Sequence, residues 1–265
     1  MLPEANYYTP DADIAWLVRQ YEFIRYDSSN ELTDKFVPRE DAAIVFHFGT
    51  KPRIVSPVDQ QLPRYFIAPV TPSANSICIS GMLECFIVTC KPTVLSRVLG
   101  ISLAHAGRIY VPLPDEVFGP IYEKMRSNRS SEERIASFSV FINSLHPGKY
   151  IPDETDLIFD TIMKKGINTN LSEIISDFSV SERTLQRRFI KRLGATPKTL
   201  VRIMRINYIW DSITTDKRID YHDLVFLGNY FDQTHLIKDF KSITGETPDV
   251  FLRRNLGFAR ILSGK

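Results

Sequence analysis

The sequence predicts an α+β chain: a β-rich N-terminal domain with helices over residues 1–150, followed by an all-α domain over residues 151–265 that carries two helix-turn-helix units. Three observations carry this reading. The first half holds runs of β-branched and aromatic residues punctuated by Gly, Pro, Asn and Asp. The second half changes to apolar residues spaced for helices. One segment of that second half occurs twice, at an offset of 51 residues.

A length of 265 residues suits two domains, and 43% hydrophobic with 24% charged residues is the composition of a globular chain with material for two cores. Charged or polar residues break every apolar stretch short of the roughly 18 residues that a membrane-spanning helix needs. The N-terminus, MLPEANYYTPDADIAWLVRQ, carries acids early and has no basic stretch before an apolar run, so the reading places the protein in the cytoplasm. Cys78, Cys85 and Cys90 are few, odd in number and set among apolar residues; they read as small buried hydrophobes in a reducing compartment. His47, His105, His146, His222 and His235 are scattered without an HxH or HExxH pair, so no metal site, cofactor or catalytic group is expected.

The elements follow in order. YEFIRY (21–26), AAIVFHF (42–48), NSICIS (75–80) and LECFIVTC (83–90) read as strands, with Ser80-Gly81 as a hairpin-like break between the last two. Pro92 opens a short helix that Gly100 closes. Helical stretches follow at about 115–126 and 131–145, and the turn-rich HPGKYIPDE (146–154) marks the domain boundary. Asp153 caps a helix that Gly166 stops, and Ile174, Ile175 and Phe178 mark another.

The repeat comes next. SERTLQRRFIKRLGATP (181–197) and DQTHLIKDFKSITGETP (232–248) share Leu185/Leu236, Phe189/Phe240, Gly194/Gly245, Thr196/Thr247 and Pro197/Pro248. Ser181 and Asp232 are both good N-cap residues. Each copy thus spells a capped helix (182–193 and 233–244), a buried Leu-x-x-x-Phe stripe, a left-handed glycine stop, and a second helix opening at Thr-Pro. A shorter apolar helix precedes each copy, at Leu171–Phe178 and Tyr221–Leu227, which completes the helix-turn-helix plan twice.

Face analysis selects the outward residues. At about 100° per residue, Arg183 and Arg187 lie about 200° from Leu185, with Gln186 and Lys191 beside them. In the second copy Thr234 and Lys238 point outward, flanked by Gln233 and Ile237. Arg suits guanine and Gln suits adenine in a major groove, so Arg183, Gln186, Arg187, Gln233, Thr234 and Lys238 are the base-reading candidates. Lys191, Arg192 and Lys241 are the candidates for phosphate contacts. Residues 183–205 hold eight Lys/Arg and no acid, while residues 1–150 hold 15 Lys/Arg against 16 Asp/Glu. The basic field therefore sits on the first unit, which points to double-stranded DNA as the partner. Asp232 and Asp239 make base contacts by the second helix less assured.

On SVSERTLQRRFIKRLGATPKTLVRIMRI and NYFDQTHLIKDFKSITGETPDVFLRR, residues from about 155 to 254 resemble the DNA-binding domain of the AraC/XylS transcription regulators. The resemblance implies a bacterial activator or repressor with seven helices, a linker helix at about 197–214, and two recognition helices in successive major grooves. Asn229 stands where that family usually has Gly, and Thr234 and Leu236 replace the commoner Ser and Phe. Residues 86–119 resemble the β-rich N-terminal domain of one subset of these regulators; such domains bind a small effector, form a dimer, or do both. A homodimer, a small-molecule effector and a contact with RNA polymerase are all left open. So is a different class: an enzyme or small-molecule-binding protein whose helical domain serves protein contacts. Within the N-terminal half, Phe46, Phe48, Cys85 and Phe86 are candidate pocket-lining residues with His47 and Arg64 as polar anchors, against a closed core filled by the same side chains.

Overall fold

A computed structural model describes residues 4–56, 59–104, 109–128, 130–146, 148–212, 220–253, 259 and 261. His105 and the last two residues of the expected linker helix lie outside these.

Eight strands among the described residues form one antiparallel sheet: β1 (Glu4–Tyr8), β2 (Val18–Phe36), β3 (Ala42–His47), β4 (Arg53–Ser56), β5 (Gln60–Gln61), β6 (Tyr65–Ala68), β7 (Asn75–Cys90) and β8 (Val111–Pro112). The order is β1-β2-β7-β3-β6-β8, with β4 pairing both β7 and β5. The expected break at Ser80-Gly81 is not a hairpin. β7 runs unbroken for 16 residues, and Gly81 sits within it at φ +69°. A glycine inside a strand bends it without ending it, and β2 follows the bend with a register shift between Ser28 and Leu32.

Alternation then sorts the side chains onto two faces. Tyr21, Phe23, Ile44, Phe46, Phe86 and Val88 face three helices: α1 (Pro92–Val98), α2 (Asp115–Ser127) and α3 (Ser131–Leu145). Phe23 and Phe86 stack with ring centroids 4.5 Å apart. On the opposite face Ile24, Val45, Ile54, Leu62, Phe66, Leu83 and Cys85 form smaller clusters. A cavity of about 80 Å³ lies among this second set, with His47 in its wall.

This arrangement corrects the expected pocket. Phe46 and Phe86 are fully buried in the helix-covered core, whereas Cys85 and His47 line the cavity on the other side of the sheet. Neighbours in a strand point to opposite faces, so Cys85 and Phe86 cannot share a pocket. Phe48 stacks on Tyr122, and the Arg134 guanidinium lies 4.2 Å over its ring. Arg64 is no anchor for the cavity either; it pairs with Asp115 at the start of α2. His47 Nδ1 lies 3.0 Å from the Pro63 carbonyl oxygen. That oxygen only accepts, so Nδ1 carries the hydrogen and Nε2 is an acceptor. Burial pushes the His47 pKa down to about 4.

The helical region follows as α4 (Glu154–Lys165), a 3-10 turn at Gly166–Asn168, α5 (Leu171–Asp177), α6 (Glu182–Leu193), α7 (Pro197–Ser212), α8 (Tyr221–Leu227), α9 (Gln233–Thr244) and α10 (Pro248–Arg253). These are seven α-helices among the described residues. Asp153 caps α4 through a reciprocal capping box with Asp156, as its position before an amphipathic run requires. The core joins Leu185, Phe189, Trp210, Leu236, Phe240 and Phe251, and takes in Val37 and Val70 from the sheet domain. No helix among the described residues is long and apolar enough to cross a membrane.

Candidate nucleic-acid interface

α6 and α9 are both 12 residues long and are built by the same local chemistry. The Ser181 side chain accepts from the Thr184 backbone N–H, and the Asp232 carboxylate from that of His235 at 2.7 Å. Gly194 and Gly245 end the helices at φ +96° and +79°, a region that costs Gly nothing. Leu185 and Phe189, like Leu236 and Phe240, are buried. The turns before the two helices differ. Ser179 and Asn229 both take a left-handed conformation, so Asn229 fills the usual glycine place. The offset between these two residues is 50, and between the N-caps it is 51. The second turn therefore holds one extra residue, Phe231, which is 93% exposed.

The outward faces carry the expected side chains. Arg183, Gln186, Arg187 and Lys191 on α6 are exposed, as are Gln233, Thr234, Lys238 and Lys241 on α9. Gln186 donates to Glu182 Oε1 at 3.0 Å, one turn back. Sequence reasoning missed Ile190, which is 41% exposed in the same stripe as Arg183 and Arg187. Its wheel position, about 140° from Leu185, was the available signal.

Arg192 is a correction. It is buried, not poised for phosphate. Its guanidinium donates to both carboxylate oxygens of Asp153 at 2.6 and 2.8 Å, to Asp156 Oδ1 at 2.8 Å, and through Nε to the Thr93 carbonyl at 2.9 Å. Asp156 also accepts from Tyr150 and Arg97. Burial pushes the Asp156 carboxyl up, but hydrogen bonds from Tyr150 and the Asp153 backbone, with the Arg192 charge, outweigh it and hold the group below the usual carboxylate range.

Other members of the basic run are also engaged. Arg188 pairs with Glu154, Arg202 with Asp239 at 2.9 Å, and the Arg205 guanidinium lies 5.6 Å over the Tyr230 ring. Arg183, Arg187, Lys191 and Lys198 stay exposed, so the positive field narrows to the outer side of α6 and the start of α7. Both acids of α9 have structural work: Asp232 caps the helix and Asp239 turns toward α7.

The sheet domain holds the C-terminal ends of both helices, whose last carbonyls have no partner within the helix. Val70 N–H donates to Leu193 O at 3.0 Å and Leu103 N–H to Lys191 O at 2.8 Å. In the second unit Ala74 N–H donates to Ile243 O at 2.6 Å, and Lys35 Nζ to Thr244 O at 2.7 Å. Lys35 also pairs with Glu246 at 2.9 Å.

Residues 175–254 match the helix-turn-helix domain family. This segment is an AraC-type helix-turn-helix domain. It is the DNA-binding domain type of transcription regulators, and the match spans both units, from within α5 through α10. No curated protein matches the sequence. Similar solved structures include ToxT from Vibrio cholerae at 1.65 Å resolution, with 12% identity over 95% of this chain and 98% of that one and a TM-score of 0.47. Another is ToxT from strain SCE256 bound to an unsaturated fatty acid, with 14% identity over 100% and 97% of the two chains and a TM-score of 0.46. The AraC-like transcriptional activator CuxR shares 10% identity over 78% of this chain and 86% of that one, with a TM-score of 0.26. At these levels the reading of the helix-turn-helix domain rests on its own geometry and on the domain match.

Proposed function

We propose that the chain is a sequence-specific DNA-binding transcription regulator in which α6 and α9 enter successive major grooves. What carries the reading is the duplicated, separately capped helix that presents Arg183, Gln186 and Arg187 in one copy and Gln233, Thr234 and Lys238 in the other, all exposed. Lys191 and Lys241 lie beside these faces and serve the phosphates. In this reading residues 151–265 bind DNA and residues 1–150 bind an effector or form a dimer. The cavity beside His47 supports only an effector of a few heavy atoms, since about 80 Å³ is well below the roughly 150 Å³ that admits benzene.

DNA binding by the full chain, measured against salt, tests the proposal. Affinity falls with salt at a log–log slope of about −0.9 per neutralised phosphate. Lys191→Ala makes the slope shallower by about one and weakens all sequences alike. Affinity that is indifferent to salt, or equal for all duplexes, contradicts it.

A further inference from the structure

Resting on the DNA-binding reading, we propose that the two recognition helices read half-sites of different base composition: α6 one that contains guanines, and α9 one rich in A·T pairs, whose thymine methyl groups pack against Thr234 and Ile237. The repeat allows a position-by-position comparison of the two outward faces. At the offset of 51, Arg183 becomes Thr234, Gln186 becomes Ile237, Arg187 becomes Lys238 and Glu182 becomes Gln233.

α6 keeps two exposed guanidinium groups one turn apart, neither ion-paired among the described residues. Each presents the planar fork that matches guanine O6 and N7. α9 has no arginine. Lys238 keeps the charge of Arg187 without its fork, so it contacts a phosphate or a single acceptor. In place of Arg183 and Gln186, α9 carries an exposed threonine with one methyl group and an isoleucine that is partly exposed beside it. The feature of a base pair in the major groove that such groups can recognise is the C5 methyl of thymine. Gln233, exposed in the first turn, supplies the amide that pairs with adenine N6 and N7. An acid on the face would instead select cytosine through its N4 amino group, but Asp232 is spent on the helix cap and Asp239 on Arg202.

The test selects duplexes with the full-length protein from a random pool, then replaces thymine by deoxyuridine in each half of the selected site. The exchange removes the methyl group and nothing else. The expected consensus has guanines in one half-site and A·T pairs in the other, about one helical turn away. Deoxyuridine in the A·T half weakens binding about fourfold for each methyl group contacted, the equivalent of burying one such group. In the other half any loss is confined to a thymine that lies against Ile190, the exposed apolar side chain beside Arg187. Thr234→Ser keeps the hydroxyl and drops the methyl, and it abolishes the response to one thymine. A consensus with required guanines in both halves, or a deoxyuridine site bound as tightly as the thymine site, overturns the inference and leaves the DNA-binding reading intact. Failure to prefer any duplex overturns both.

Discussion

α6 and α9 share length, caps and buried stripe, and the sheet domain touches the C-terminal end of each, yet they are fastened differently. α6 is held by a buried arginine: Arg192 reaches Asp153, Asp156 and the Thr93 carbonyl, with Arg97 and Tyr150 completing the charge cluster. At the equivalent position α9 has Ile243, a core hydrophobe. Its tie to the sheet domain is a backbone hydrogen bond from Ala74 and the half-buried Lys35. Local code builds the same helix twice, and long-range contacts then give the two copies different mechanical settings.

The largest expected effect separates the two settings. Arg192→Ala strands Asp156 in the interior without its main charge partner and costs about 3–5 kcal/mol in urea unfolding, the usual penalty for halving a buried pair. Lys35→Ala at the other tie costs about 1.5 kcal/mol, the low end for a lost charged hydrogen bond, because the carboxylate left behind, Glu246, is partly exposed where Asp156 is fully buried. Equal losses would erase the contrast between the two units.

These two ties were unequally legible in sequence. The helices, caps and glycine stops are local, so Ser181, Asp232, Gly194 and Gly245 announce themselves within a few residues of where they act. The role of Arg192 is not legible locally because its partners Thr93, Asp153 and Asp156 lie far away in the chain. A signal was still present: seven residues beyond Leu185, Arg192 returns to the buried stripe of its own helix. The strand period would likewise have separated Cys85 from Phe86. The unbroken, bent run of β7 through Gly81 is not legible, since one glycine serves a turn or a bend equally well. The extra turn residue Phe231 does not show in the repeat, whose matched positions begin after it, at Ser181 and Asp232.

The charge cluster also makes the first tie sensitive to acid. Asp156 is held below its unfolded value near 3.9, so its contribution is complete above about pH 4 and is lost as pH falls through the lower folded value. Tyr150→Phe removes one of the hydrogen bonds that lower it, so the contribution is smaller and its loss is complete at a higher pH. Melting temperature against pH for the two proteins measures this; curves that differ only by a constant offset count against the assignment. The smallest effect is expected at Phe231→Ser. That side chain is 93% exposed in the turn before α9, and its replacement should change stability by no more than about 0.5 kcal/mol. A larger loss would show that the longer turn is held by Phe231.

The most direct measurement is the affinity and base preference of full-length Arg187→Ala beside the unaltered protein, on a selected site and its single-base variants. The account predicts a loss of about 1–3 kcal/mol on the selected site, with discrimination relaxed at one base pair and stability unchanged. An Arg187→Ala protein that keeps both affinity and base preference would contradict the assignment of the outer face of α6 as a DNA-reading surface.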